Sequence, residues 1–337
     1  MAQRTRNNPP FGWKVTGLII DDLTELFSQE INKYGFDLTG VTDGSTILQT
    51  AIDNSVSGDT IILPNGIIKI DNQVNIDKKI KIIGSGTTIL IDSNIKAFNI
   101  DSDFVSVENI DFINLGSKTT LQYGVFVNSK NNFKIHNCSF DGLYHGVNFE
   151  NTILTGSNKN STISDCYFTN NTYGILGGSR GEYVNITGCR GYLNTNHVEF
   201  EGGNINITSC IFTKGTNGVR VMSGLNDSHG IISSCELNHI SGNPLYFDGI
   251  TKGMTVNACH VFQGSIYLKN CSGVSLTNCM FDVNNFLFEN AVGSKFTDNR
   301  HLTAYANTVD KSYNGAAASV VIANDNYLIN GTAYTGI

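Results

Sequence analysis

The chain has 337 residues, 15% of them charged and 40% hydrophobic, with 35 glycines, 42 asparagines and a formal net charge of −7. Its charged fraction is far below the usual ~25%, so polarity comes from amides and hydroxyls rather than the Lys and Glu of long amphipathic helices, while 19 Phe and 13 Tyr supply a core that a disordered chain lacks. The acidic balance leaves no basic surface to track phosphates, which excludes nucleic acid as a partner, and no apolar run approaches the ~20 residues of a membrane-inserted helix.

The N-terminus carries Arg4 and Arg6 but no apolar stretch of signal-peptide length behind them, so synthesis without a signal peptide is expected. Eight Asn-X-Ser/Thr sequons, among them Asn137, Asn185 and Asn206, fall in strand-like segments where a glycan would block packing. Residues 1–33 read as an attachment segment. In it a Pro-Pro-Phe-Gly-Trp stretch precedes a short amphipathic helix over 21–32, with Leu23, Leu26, Phe27 and Ile31 on one side. Residues 34–70 read as a capping helix with strands after it: Asp43 is placed to N-cap a helix whose apolar face is Ile47, Leu48, Ala51 and Ile52, followed by a strand, a Pro-Asn-Gly turn and a second strand.

Over residues 71–302 one short phrase recurs. Cys138, Cys166, Cys189, Cys210, Cys235, Cys259 and Cys279 each close an alternating apolar and polar segment, 20 to 28 residues apart, with Ile110 in the cysteine slot before them and Arg300 after them. A fixed period of this size is the signature of a solenoid, and alternation inside the phrase is that of a strand. The expected fold is all-β, a single-stranded parallel β-helix of about ten rungs, ~4.8 Å apart and on the order of 50 Å long. Without CxxC pairs, the cysteines read as buried reduced thiols rather than disulfides or metal ligands. Each repeat holds a further strand, such as Val125–Val127 or Val147–Phe149, whose alternate residues would stack inward. Residues 303–337 are left as a C-terminal cap or trimer contact.

The residues Tyr34-Gly35, Gly40-Val41-Thr42-Asp43 and Leu63-Pro64-Asn65-Gly66, with the repeats behind them, resemble the pectate-lyase-like right-handed parallel β-helix superfamily. The resemblance covers roughly residues 34–300 and is closest to bacteriophage tailspike and virion spike proteins. It implies a right-handed helix, a homotrimer, a virion location after synthesis in the bacterial host cytoplasm, contact with other virion proteins through residues 1–33, and binding to a bacterial surface glycan. The Asn-Thr-Asp, Gly-His-Gly and Arg-Ile-Lys motifs of the polygalacturonase branch are missing, as is the Asp-Pro-His of the alginate-epimerase branch, and an Asp-Asp pair occurs only at Asp21-Asp22, ahead of the repeats.

Alternation places two columns on the outer face of the later strands. Tyr246 and Tyr267 would form a flat aromatic platform for sugar rings. Glu199 and Glu201, two residues apart, and Asp248 two rungs on could supply the paired carboxyls of glycoside hydrolysis, with Arg220 between them to orient an acidic sugar or lower a carboxylate pKa and Glu150 in the same column as Glu201. His145 and His197 are candidates for acid-base help. Phe126, Leu176 and Leu287 would leave an apolar strip suited to a subunit contact. No zinc spacing or complete calcium loop occurs, so no metal or cofactor is expected. Three functions compete: a polysaccharide-binding virion spike, the same spike acting as a depolymerase, and a structural decoration protein of capsid or tail.

Overall fold

The computed structural model describes residues 28–30, 35–149, 160–178, 181–222, 228–289, 291, 293–301, 309–310, 321–322 and 327–328. They form a parallel β-solenoid of about ten turns. One turn shows the plan: Lys134–His136 belongs to sheet 1, Ser139–Asp141 to sheet 2 and His145–Phe149 to sheet 3. Each pairs in parallel with its equivalent one turn on, namely Thr162–Ser164, Tyr167–Thr169 and Tyr173–Gly177. From Arg190–Phe200 onward the second and third strands of a turn run together as one bent strand, as in Ile211–Met222 and Glu236–Asp248.

Register is held turn after turn, so each inward position becomes a column. In sheet 3 Val125, Val147, Ile175, Val198, Val219, Leu245 and Ile266 are successive partners, and all are fully buried. Sheet 2 carries a phenyl ladder, with Phe112, Phe140 and Phe168 stacked at 5.0 Å and nearly coplanar.

The turn from sheet 1 to sheet 2 explains the cysteine phrase. The residue before each of the seven cysteines has a positive φ between 50° and 65°: Asn137, Asp165, Gly188, Ser209, Ser234, Ala258 and Asn278. A left-handed residue turns the chain in one step, at a cost that glycine escapes and Asn or Asp tolerates. The cysteine that follows is small enough for the corner, and its thiol donates weakly to two carbonyls that the turn leaves over. Cys210 Sγ, for instance, lies 3.3 Å from the Thr208 carbonyl and 3.7 Å from that of Ile186. All eight cysteines are buried free thiols, and burial pushes the Cys166 thiol well up. Cys271 makes the same kind of contact at another corner, to the carbonyls of Lys269 and Phe247.

Several details differ from the sequence reading. Asn299, not Arg300, fills the last cysteine slot: Asp298 is the left-handed residue, and Arg300 pairs with Met280 rather than Cys279. The Asn299 amide accepts from the Cys279 N–H at 2.9 Å and donates to the Leu276 carbonyl at 3.0 Å, doing by hydrogen bonds what the thiol does by packing. At the other end, Ser28–Glu30 is a strand paired in parallel with Thr60–Ile62 where a helix was expected, and the rest of residues 1–34 lies outside the described residues. The helix Ser45–Asn54 is present and buries Leu48, Ala51 and Ile52 in the solenoid core. Gly44, not Asp43, occupies its N-cap. The Asp43 carboxylate instead accepts from the N–H groups of Ser45 and Asp71 at 2.9 and 3.0 Å and from the Asn72 amide at 2.9 Å, tying the helix start to the turn beside it. Beyond residue 302, Val309–Asp310, Val321–Ile322 and Tyr327–Leu328 continue the parallel ladder.

Ala258 is the one corner residue before a cysteine with neither glycine's freedom nor a polar side chain. Ala258→Gly or Ala258→Asn is expected to stabilise the fold by about 0.5–1 kcal/mol, and Ala258→Val to destabilise it, in urea denaturation.

Candidate functional site

The outer face of sheet 3 carries the charged and aromatic groups that the core columns exclude. The parallel register makes Leu176, Glu199, Arg220, Tyr246, Tyr267 and Leu287 successive neighbours along the solenoid axis, and Met222, Asp248, Lys269 and Glu289 a second outward column beside them. Both columns follow the expected alternation. Glu201 is exposed one turn before Met222, its N–H donating to the Gly177 carbonyl at 3.1 Å, and Glu150 lies outside the described residues.

Each charged side chain of the first column meets its neighbour on the next rung. Arg220 donates through one terminal nitrogen to Glu199 Oε2 at 2.7 Å, and its guanidinium carbon lies 5.2 Å from the Tyr246 ring centroid. Tyr246 donates to Asp248 Oδ2 at 3.2 Å, Lys269 Nζ lies 3.5 Å from the same oxygen, and Tyr267 donates to Glu289. The two tyrosines are not a flat platform. Their rings meet edge to face, 5.3 Å apart at 83°, because each hydroxyl is drawn toward its own carboxylate.

The carboxyls differ in their electrostatics. Glu199 is buried, its side chain 9% exposed, and that burial raises its pKa although Arg220 and its hydrogen bond work against the rise. Glu108 on sheet 1 shows the opposite balance: burial acts on it too, but hydrogen bonds from Lys81, Ser106 and Lys134 bring its carboxyl down to about 2. Glu199 has one cation against its burial, whereas Glu108 has three donors. The Glu289 contact pushes the Tyr267 hydroxyl up to about 12.

The histidines divide. His197 belongs to the core. Its ring occupies the space where Gly191 interrupts the phenyl ladder, stacked on Phe212 with centroids 5.2 Å apart, and a Cβ on Gly191 would come within 2.3 Å of Nδ1. Nδ1 accepts from the Asn194 amide at 3.0 Å and Nε2 donates to the Lys214 carbonyl at 3.2 Å. Burial lowers its pKa to about 4, so it is a neutral packing residue rather than an acid-base group. His145 lies between Tyr123 and Tyr173, with centroids at 4.5 and 5.2 Å and planes within 12° of parallel. Burial holds it neutral as well, with a pKa of about 4.

Tyr173 is the site residue that the sequence reading missed. Burial raises its pKa first, and then the charges of Glu199, Tyr144 and Glu201, which places the hydroxyl within the field of the acidic pair. A signal was present in the aromatic-glycine openings Tyr123-Gly124, His145-Gly146 and Tyr173-Gly174. Phe126, expected in an exposed apolar strip, is buried at 5% exposure with Lys96 Nζ 3.4 Å from its ring centroid, so no continuous strip joins it to Leu176 and Leu287.

No protein-family model matches the sequence. No curated protein matches it by sequence. Among solved structures, the chain is similar to PfbA, a surface adhesin of Streptococcus pneumoniae, at 15% identity and a TM-score of 0.53, covering 91% of this chain and 93% of that one. It is similar to the Dettilon tailspike protein at 13% identity and a TM-score of 0.50, covering 91% and 70%. It is also similar to the N-terminal fragment of gene product 12 of bacteriophage phi29, at 13% identity and a TM-score of 0.52, covering 94% and 66%. At such identities the likeness is one of fold, and it bears out the expected parallel β-helix.

The Glu199 and Arg220 pair makes the electrostatics testable. Arg220→Gln leaves a buried carboxylate without its cation and is expected to cost on the order of 1–3 kcal/mol at pH 7. Because the Glu199 pKa is raised on folding, ionising it costs stability as pH rises through its folded value. The Arg220→Gln defect should therefore shrink as pH falls toward 4.5 and the carboxyl becomes neutral, as followed by denaturation at several pH values.

Proposed function

We propose that the chain is a bacteriophage virion spike that acts as a homotrimer and holds a bacterial surface polysaccharide against the outer face of sheet 3 during host attachment. The observation that carries this reading is the row Glu199, Arg220, Tyr246, Asp248, Lys269, Tyr267 and Glu289, in which hydroxyl, carboxylate and aromatic groups fix one another's orientation along a straight ladder. A polysaccharide is itself a linear array of hydroxyls and apolar ring faces, and side chains already held by their neighbours lose little freedom on meeting it. The parallel β-helix that the chain shares with a tailspike protein and a surface adhesin supports the reading. In it, residues 1–33 attach to other virion proteins and residues 303–337 contribute to the trimer.

A second reading, depolymerisation, is favoured by one observation. The raised pKa of Glu199 suits a general acid, and Glu201 two residues along or Asp248 in the neighbouring column would supply the second carboxyl.

Purified protein is passed over immobilised polysaccharide from candidate hosts, and the glycan is then sized. Retention without shortening is the expected result, with Tyr246→Ala and Tyr267→Ala together weakening retention by about tenfold or more. Shortening that Glu199→Gln abolishes while retention persists would establish the second reading. Neither retention nor shortening on any of the glycans would leave a structural decoration protein. Light scattering is expected to give three times the 36.6 kDa of the chain, and a monomer at micromolar concentration would remove the trimer from the proposal.

A further inference from the structure

The charges along this face discriminate between classes of glycan. An acidic polysaccharide, rich in uronate, needs a cation whose hydrogen-bonding positions and charge are still available to it. Both cations of the row already have their charge opposed by a carboxylate of the protein. The Arg220 guanidinium is held by Glu199 at 2.7 Å and lies over the Tyr246 ring, and the Lys269 ammonium is held by Asp248, which is the main reason its pKa is raised. Against these two cations stand four carboxylates, those of Glu199, Glu201, Asp248 and Glu289, among the described residues of the row. The face is net negative on a chain that is itself at −7. A polyanion approaching it is repelled, and the cations it meets are already charge-paired.

The acceptors point to the other class. The carboxylates of Asp248 and Glu289 take hydrogen bonds from tyrosine hydroxyls and keep further lone pairs for a donor. Acceptors of this kind are matched by hydroxyl donors, and the tyrosine ring edges and faces by the apolar faces of sugar rings.

Resting on the reading of this face as a glycan site, we infer that its ligand is an uncharged, hydroxyl-rich polysaccharide, and that the cross-rung pairs Arg220 with Glu199 and Lys269 with Asp248 select against polyuronates by neutralising the cations of the described row. On this inference Arg220 acts on the Glu199 carboxyl, the second of the two roles expected from sequence, rather than on an acidic sugar.

The test uses acidic bacterial capsular polysaccharides, each immobilised both as isolated and after chemical reduction of its uronates to neutral hexoses, beside neutral surface polysaccharides. The wild-type protein is expected to be retained on neutral or reduced members at least about tenfold better than on any acidic parent, with less than about a twofold change between low and high salt. Asp248→Asn, with its fold verified by its melting temperature, releases Lys269 and is expected to narrow that preference by about threefold or more. Stronger retention on an acidic parent than on its reduced form, falling steeply with salt, would overturn the inference and leave the glycan-binding reading intact. Retention on none of the glycans would overturn the glycan-binding reading itself, and the inference with it.

Discussion

Everything in this molecule depends on parallel strands meeting in register from one turn to the next. The corners between sheets keep that register, because a turn made by a single left-handed residue has no slack to absorb an inserted or deleted position. Asn137, Asp165, Gly188, Ser209, Ser234, Ala258 and Asn278 all take this conformation, and the thiol that follows each one fits beneath the carbonyls of the previous turn. The cost of the positive φ is met where the side chain can help. Asn137, for example, donates its amide to Asn109 one turn below at 2.9 Å. A sequence with 42 asparagines and 35 glycines is therefore as much a consequence of the corners as of the solvent-facing polarity.

Periodicity made the fold legible, and it made the inward and outward columns legible with it, since the position of Val198 or Glu199 in its phrase already states which face it takes. What periodicity cannot state is how one turn compensates for another. Gly191 looks like a missing phenyl, and only the structure shows the ring of His197, six residues later, placed in the gap. At Gly177 the reverse occurs: a Cβ there would lie 2.6 Å from the Phe200 ring and 2.7 Å from the Phe149 ring, so the missing side chain is what lets those two rings meet across the turn. The slip between Arg300 and Asn299 has a similar cause. The marker had been read as cysteine, whereas the structural invariant is the left-handed residue before it, and Asp298 keeps that conformation after the cysteines have ended.

The site was half legible for a related reason. Alternation located Glu199, Arg220, Tyr246, Asp248 and Tyr267 on one face, but side-chain direction on that face is set by hydrogen bonds to neighbours, some on the same strand, as Asp248 is for Tyr246, and some one rung away, as Glu289 is for Tyr267. Tyr246 and Tyr267 would stack flat if ring contact alone decided. The hydrogen bonds to Asp248 and Glu289 turn them edge to face instead. Tyr173 escaped notice because it opens its strand at the corner, where strict alternation fails, and it joins the acidic pair through space rather than through spacing.

A solenoid face also differs from a pocket in how it gains specificity. Its backbone cannot close around a ligand, so selectivity has to come from which polar groups are already used by the protein and which are left over. Pairing across rungs decides that. Pairing Arg220 with Glu199 and Lys269 with Asp248 neutralises the cations of this face, while Tyr246 is held between Arg220 and Asp248. The register that builds the core thus also sets the chemistry of the surface, since moving any strand of sheet 3 by one residue would exchange the paired charges for buried valines and phenylalanines and erase the face altogether.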